Sequence, residues 1–353
     1  MFAEFARVRV ILTDWFGGIR VPGVAYEERP LRDTTWTRLG RMRTYYKTDF
    51  PRDFASSTDI AVVETLDLWG LAEQFEAKAR VLDEHNVYWD LLKYDMGRAP
   101  FFSSGIGMNP TVQRLLQPYL WRRAKAYELR ALRTADATLV TSQPDRARIL
   151  EELPGLASRV QVLPNAVDTD RYPDLSDAET TDEIVFVGNY NYAPNRQAAE
   201  FIADRLAPHL PGMRFLLVGA HPPVLLPDRP NVTVLGHVPD LNETLRRAAV
   251  CVAPLFQGSG TRLKILTYLA SGKAVVATRK AAEGLDVSDG VDILLRDDEA
   301  GFREALTDLL HDPDRRRTLG KNGRRLVRER YDWRAHVAPL RDLSERLCAR
   351  GGA

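Results

Sequence analysis

A short glycine-rich stretch between two apolar runs constrains the fold of this chain more than any other feature. Residues 258–264 are Gly-Ser-Gly-Thr-Arg-Leu-Lys, and they lie between apolar runs at 250–255 and 274–278. Leucines recur at helical spacing behind the glycines. This pattern predicts a strand, a glycine loop, a helix and a second strand, which is the repeating element of α/β folds.

The same loop has the composition of an anion site. Gly258 and Gly260 allow a tight turn that brings backbone N–H groups close to a ligand. A helix beginning near Thr261 directs its unpaired N–H groups and positive dipole end into the loop, and Arg262 and Lys264 add two positive charges. The pattern indicates a phosphate or diphosphate site; the alternative is a tight connection with two solvated cations. No Gly-Lys-Ser/Thr closes the motif, so it is not a P-loop. The third glycine of the dinucleotide fingerprint is missing, so it is not a dinucleotide-binding loop either.

Composition narrows the class of protein. The chain has 353 residues, enough for two domains, and a formal net charge of +1, which gives no global electrostatic reason to bind nucleic acid. Its two cysteines, Cys251 and Cys348, are too few for a disulfide framework or a zinc cluster. No apolar run approaches the roughly 20 residues of a membrane span. We therefore expect a cytoplasmic, two-domain protein with no nucleic-acid partner and no metal.

Both halves of the chain alternate between strand-like and helix-like patterns. The predicted strands of the first half are 8–13, 24–27, 59–64, 80–83, 137–140 and 160–163, and its predicted helices are 71–79, 111–135 and one capped by Ser142. The predicted strands of the second half are 183–187, 214–218, 231–235, 250–255, 274–278 and 292–295, with helices at 196–209, 241–249, 262–271 and 300–311. The expected fold is two Rossmann-like α/β domains joined by a turn-rich linker at 164–182. Asp168 and Asp170 in this linker are interpreted as turn residues and not as metal ligands.

Several motifs resemble one enzyme family. They are the segments 186–195 (Phe-Val-Gly-Asn-Tyr-Asn-Tyr-Ala-Pro-Asn), 236–240 (Gly-His-Val-Pro-Asp), 258–264, 282–284 (Ala-Glu-Gly) and 331–333 (Tyr-Asp-Trp). Their order and spacing resemble those of family 4 retaining glycosyltransferases of the GT-B fold, closest to bacterial transferases for surface and extracellular polysaccharides. Residues 164–168 and 83–87 resemble that family's interdomain motif, with Ala166 in place of glycine, and an N-terminal strand end facing the cleft.

The resemblance implies a domain plan and a reaction. Residues 1–167 would form an acceptor-binding domain, 168–335 a domain that binds the nucleotide sugar, and 336–353 a helix that packs back on the first domain, with the two domains facing a cleft. The implied activity is hexosyl transfer, with retention and without cofactor or metal, from a nucleotide-diphosphate sugar to a glycan or lipid-linked acceptor. That acceptor leaves open a peripheral association with the inner face of the membrane.

The resemblance also assigns roles to individual residues. The residues implied in catalysis are Lys264 and Arg262 on the diphosphate and His85 on a sugar hydroxyl. The residues implied in donor binding are Asn189, Gln257, Gly258, Ser259, Gly260, Thr261, Thr267 and Glu283. For His85, a purely structural role at a strand end is the alternative.

The chain departs from the family where two glutamates are usual. Gln257 and Thr267 stand near those positions, and Thr267 offers one hydroxyl where a carboxylate would accept two bonds from ribose. Nucleotide affinity is therefore expected to be weaker unless another group substitutes. Glu283 is one such group; the alternative for it is an exposed loop residue.

Two other functions stay open at this level. One is another enzyme of the same architecture, a nucleotide-sugar epimerase or a phosphorylase, and the other is a non-catalytic protein that binds sugar nucleotides. The opening residues 1–7 resemble the last turns of a helix, whereas family members open with a strand and a glycine-rich loop. We therefore expect the first domain to lack its first strand and that loop, with the activity of the chain in doubt for that reason.

Overall fold

The computed structural model describes residues 9–12, 25–28, 58–64, 66–73, 76–90, 110–222, 226, 228–258 and 263–350. The chain divides into two compact units. Unit 1 comprises Met1–Leu163 and His336–Ala353, and unit 2 comprises Pro164–Ala335. All paired strands in the described part of both units are parallel.

Unit 1 contains a four-stranded sheet and a separate strand pair. The strands are β1 (Arg9–Leu12), β2 (Ala25–Glu28), β3 (Thr58–Glu64), β4 (Ala77–Glu84), β5 (Ala137–Val140) and β6 (Val160–Val162). Strands β1 and β2 pair with each other, and the larger sheet has the order β3-β4-β5-β6. The helices of this part are α1 (Trp69–Ala72), α2 (Pro110–Thr134) and α3 (Gln143–Glu152).

Local chemistry explains the connections in unit 1. The Ser142 hydroxyl accepts a hydrogen bond from the Asp145 N–H and caps α3, which has proline in its first turn. The Trp69 indole is almost fully buried and donates to the Thr134 hydroxyl at 3.2 Å, which fixes α1 against the end of α2. Such a bond satisfies the one polar atom that a buried tryptophan carries.

Unit 2 is built on a six-stranded sheet with the order β12-β11-β10-β7-β8-β9. Its strands are β7 (Glu183–Val187), β8 (Arg214–Val218), β9 (Val232–Gly236), β10 (Ala248–Ala253), β11 (Val275–Ala277) and β12 (Leu294–Leu295). Its helices are α4 (Ala193–Phe201), α5 (Leu241–Arg247), α6 (Leu263–Ala270), α7 (Glu299–His311) and α8 (Pro313–Arg330). Every residue of the central strand β10 is buried, as expected for a parallel sheet covered on both faces.

The last helix, α9 (Val337–Arg350), belongs to unit 1. Leu340, Leu343 and Leu347 are buried and form one apolar cluster with Ala79 and Val81 of β4 and with two residues of β5. The spacing of three and four residues places these leucines on one face of α9. The helix therefore closes one face of the unit 1 sheet.

Hydrogen bonds join the first and last segments of unit 2. The Val167 N–H donates to the Tyr331 carbonyl at 2.8 Å, and the Trp333 N–H donates to the Val167 carbonyl at 3.1 Å. The buried Asp332 carboxylate accepts from both the backbone N–H and the hydroxyl of Thr169. The segments by which the chain enters and leaves unit 2 thus run side by side.

Asp168 and Asp170 take part in turn chemistry, as the sequence predicted. Asp168 accepts from the Asp170 N–H and caps the 3₁₀ helix Thr169–Arg171. Both carboxylates also form ion pairs with Arg334.

The prediction of two Rossmann-like α/β domains is confirmed, and most predicted strands lie within two residues of the observed ones. The helix predicted at 71–79 is wrong: helix α1 ends at Ala72, and Ala77–Glu84 is a strand that pairs with β3 from Ala77 onward. Helix α8 was not predicted. The residues before Arg9, and with them the expected loss of a first strand and glycine loop, lie outside the described residues. Among the described helices, none has the length and apolar content that a membrane crossing requires.

Candidate functional site

The candidate site lies in unit 2, at the edge of the sheet where β7, β8 and β10 end. Gly188 follows β7 and Gly219 follows β8, and the Gly188 N–H donates to the Val218 carbonyl at 2.9 Å. A Cβ atom on Gly219 would lie 1.9 Å from the Gly188 carbonyl oxygen, and Gly219 has a φ of +136°. Only glycine fits this position, so the two loops run with their backbones in contact.

Lys264, the predicted diphosphate ligand, lies in the first turn of α6 and is half-buried. Its Nζ donates to the Asn195 side-chain oxygen at 2.6 Å and lies 4.2 Å from the centroid of the Phe186 ring. Both of these partners are uncharged. A cation over an aromatic face is attracted by the ring quadrupole, so both contacts hold the ammonium and neither of them places a negative charge beside it.

Tyr268 anchors α6 to the sheet. The Val187 N–H, at the end of β7, donates to the Tyr268 hydroxyl oxygen at 2.7 Å. The ring is fully buried, and burial raises the pKa of the Tyr268 hydroxyl well above its ordinary value. A neutral phenol in the core therefore fixes the position of α6, and with it Lys264.

Three of the residues predicted to bind the donor lie near Lys264 in the chain: Gln257 and Gly258 follow β10, and Thr267 lies on α6. Gln257 and Gly258 are half-buried, and Gly258 has a φ of +101°, as a tight turn needs. Thr267, one turn after Lys264, has its hydroxyl 3.4 Å from the Tyr172 hydroxyl. Tyr172 thus adds a second hydroxyl group beside Thr267.

The remaining predicted residues of unit 2 are more dispersed. Asn189 is exposed; its side-chain oxygen accepts from the Asn191 N–H at 3.0 Å and its carbonyl accepts from the Asn195 amide at 2.8 Å. Glu283 is half-buried and forms an ion pair with Lys280. Ser259, Gly260, Thr261 and Arg262 lie outside the described residues.

His85 lies in unit 1, just after β4. Its Nε2 is 3.3 Å from a carboxylate oxygen of Glu64, at the end of the neighbouring strand β3, and this hydrogen bond raises the pKa of His85. Burial, and next the negative charge of Glu64, raise the pKa of Asp83 to about 6. One ligand atom from each of these three side chains lies within 4.8 Å of the others. This group could hold a divalent cation, since imidazole and carboxylate groups are common metal ligands.

The sequence interpretation missed several residues around Lys264. Asn195, Phe186, Tyr172 and Tyr268 were assigned no role. Asn195 and Phe186 stand at the two ends of the segment 186–195 that supported the family resemblance. The signal for Asn195 was the adjacent Pro194, which marks the first turn of a helix beginning beside the loop after β7.

Comparisons with known proteins cover this part of the chain. Residues 181–312, which contain it, match the family described as glycosyl transferases group 1. No protein with a curated function matches the sequence.

Solved structures of GT-B glycosyltransferases have the same fold. Sucrose-phosphate synthase from Thermosynechococcus elongatus is 21% identical, with a TM-score of 0.58 over 83% of this chain and 74% of that one. HepE from Anabaena, solved with UDP and glucose, is 16% identical, with a TM-score of 0.61 over 91% of this chain and 86% of that one. A glycosyltransferase from Rickettsia africae is 10% identical, with a TM-score of 0.60 over 92% of this chain and 85% of that one.

The fold is therefore the GT-B fold, with two Rossmann-like domains. The family match and the fold together support a glycosyltransferase. Most of unit 2 is the segment that matches group 1.

Proposed function

We propose that the protein is a retaining, metal-independent glycosyltransferase of family 4 that transfers a hexose from a nucleoside diphosphate sugar. The observation that carries the proposal is the Lys264 ammonium held between an amide oxygen and an aromatic ring at the carboxyl edge of a parallel sheet. Ligands of such sheets bind beyond this edge. The segment 181–312 matches glycosyl transferases group 1, and HepE was solved with UDP-glucose.

In the proposed reaction the bond between the anomeric carbon and the diphosphate oxygen breaks. The acceptor hydroxyl forms its new bond to that carbon on the same face, and its proton passes to the departing diphosphate. Negative charge grows on the leaving group during this step, so a fixed cation beside it lowers the barrier. Lys264 supplies this charge and Arg262, preceding α6, adds to it.

The other predicted residues receive roles in binding. Gln257 and the backbone of the glycine loop contact the sugar or distal phosphate, Asn189 the nucleotide, and Thr267 or Glu283 the ribose. His85 contacts a sugar hydroxyl from unit 1. The acceptor is a glycan or a lipid-linked sugar, and the reaction takes place in the cytoplasm, at the inner face of the membrane when the acceptor is lipid-linked. As in bacterial relatives of this family, the product belongs to surface or extracellular polysaccharide.

The test is Lys264→Ala in a calorimetric titration with nucleoside diphosphates, beginning with UDP. A charge-assisted hydrogen bond contributes roughly 1.5 to 3 kcal/mol, so the affinity should fall about tenfold or more. Lys321→Ala is the matched control, because Lys321 is an exposed lysine of α8 that pairs with Asp177. Equal affinity in folded Lys264→Ala and Lys321→Ala proteins would contradict the assignment.

A labelled panel of sugar nucleotides separates the alternatives. Transfer to an acceptor, with the anomeric configuration of the donor kept, supports the proposed reaction. Isomerised donor would identify an epimerase, and binding without turnover a non-catalytic protein.

A further inference from the structure

Asn195 lies at the centre of the contacts around Lys264. It is buried, at 6% exposure, in the first turn of α4. Its Nδ2 donates to the Asn189 carbonyl at 2.8 Å, and its Oδ1 accepts from the Lys264 Nζ at 2.6 Å. A carbonyl only accepts and an ammonium only donates, so the two partners allow one orientation of the amide.

The loop after β7 restricts this side chain further. A Cβ atom at Gly188 would lie 2.9 Å from the Asn195 Cγ and 3.1 Å from its Nδ2. The backbone of Gly188 therefore packs directly on the amide, and the absence of a side chain there is what makes room for it. Asn195 is held from two sides and presents its oxygen at a fixed point.

The chemistry of an amide suits this point. A carboxylate in the same place would form an ion pair with Lys264 and compensate the charge that a diphosphate has to meet. The amide oxygen directs the ammonium without cancelling its charge, and the Phe186 ring does the same from its face. A lysine side chain is otherwise a flexible stem that loses rotamer freedom whenever it binds a ligand.

We infer that Asn195 is a positioning residue that holds the Lys264 ammonium in place for the donor diphosphate before the donor arrives. The inference rests on the proposed function for the identity of the ligand, the donor diphosphate. The hold on Lys264 is a property of the free protein and can be measured without any nucleotide.

The first experiment measures the labelling rate of Lys264 by an amine-acylating reagent, read by mass spectrometry, with Lys321 as the internal reference. Replacing Asn195 by alanine removes the acceptor, so labelling of Lys264 should become several-fold faster. Asn195→Asp keeps an acceptor and adds a charge that favours the protonated amine, so labelling should become slower than in the wild type. Unchanged labelling in both variants would overturn the inference, whatever the protein binds.

The second experiment is a double-mutant cycle on the affinity for the diphosphate that binds most tightly. Asn195→Ala should weaken binding about fivefold when Lys264 is present and have no effect in the Lys264→Ala background. Asn195→Asp should weaken it more than Asn195→Ala. Asn322→Ala, on α8, is the matched control.

These results separate the inference from the proposed function. An equal loss of affinity from Asn195→Ala in both backgrounds would show that Asn195 supports the fold only, which overturns the inference. Failure of the wild type to bind any diphosphate, with the labelling differences intact, would refute the proposed function and leave the hold of Asn195 on Lys264 standing.

Discussion

The contact between helix α8 and the turn after α6 yields a quantitative prediction for Gly320→Ala. Gly320 lies in α8, and a Cβ atom there would be 2.1 Å from the Gly272 carbonyl oxygen and 2.9 Å from its carbonyl carbon. Gly272 is itself in a left-handed conformation, with a φ of +70°. Both partners of the added methyl are backbone atoms, so no side chain can rotate away.

The expected cost follows from this geometry. Real Cβ atoms essentially never approach another heavy atom within 3.0 Å, so α8 has to move by roughly 1 Å. Overpacking of this kind costs about 1–3 kcal/mol, and a rigid backbone contact belongs at the upper end. Alanine regains up to about 1 kcal/mol through its better helix propensity. We expect a net loss of about 2 kcal/mol, which lowers the melting temperature by about 4–8 °C in a domain of this size.

The assay is thermal and urea unfolding of Gly320→Ala beside two controls. Gly212→Ala places its methyl in open space and should change stability by less than about 0.5 kcal/mol. At Gly323 the nearest atom is a side-chain methyl of Leu269, at 2.5 Å, which can shift, so Gly323→Ala should fall between the other two. A Gly320→Ala protein as stable as Gly212→Ala would refute the reasoning. The added methyl also presses on Gly272, in the turn that follows α6, and because α6 carries Lys264 diphosphate binding should weaken as well.

Three further predictions concern the ribose contact, pH and metal. Thr267→Glu should tighten nucleotide binding by about 1–2 kcal/mol, the difference between one neutral and two charge-assisted bonds; a titration showing no gain would place the ribose elsewhere. Burial raises the pKa of Glu128 from 4.5 to about 8, although the Tyr88 and Trp89 N–H groups donate to it. The folded protein therefore holds a proton that the unfolded chain releases, and stability should fall as the pH rises from about 5 to about 8. Glu128→Gln should flatten this slope in urea unfolding, and an identical slope would argue against the assignment. Finally, transferase activity should survive excess EDTA; loss of turnover that Mg²⁺ or Mn²⁺ restores would favour a metal mechanism.

The sequence predicted the architecture because strands of a parallel sheet are short, continuous apolar runs bounded by turn residues. Strands such as Ala248–Ala253 and Glu183–Val187 carry this signal clearly. Helix α8 carries almost none, because its buried positions include Gly320 and Gly323 and most of its other residues are charged or polar. Its inward face is defined by close backbone packing, which hydrophobic periodicity does not detect. The prediction of the short helix α1 was wrong for a different reason. Apolar residues recur from α1 into β4, and their periodicity does not locate the boundary between helix and strand.

The same distinction applies to the site. The sequence drew attention to Lys264 and the glycine loop because cations and glycines at a helix start commonly bind phosphate groups. The partners of Lys264 were not, because Asn195 and Phe186 reach it from a segment about 70 residues earlier in the chain. Only the order of the strands, with β7 beside β10, brings those segments together.

The position of α9 at the end of the chain has a consequence for co-translational folding. The strands that α9 covers are complete by Val140, yet the covering leucines begin at Leu340. At about 5–20 residues per second, the roughly 200 residues between them take on the order of 10–40 s to translate. During that interval the whole of unit 2 is synthesised, while one apolar face of β4 and β5 is not yet covered by α9. The nascent chain therefore completes its second domain before its first. We expect chaperones to bind the uncovered face of β4 and β5 during synthesis.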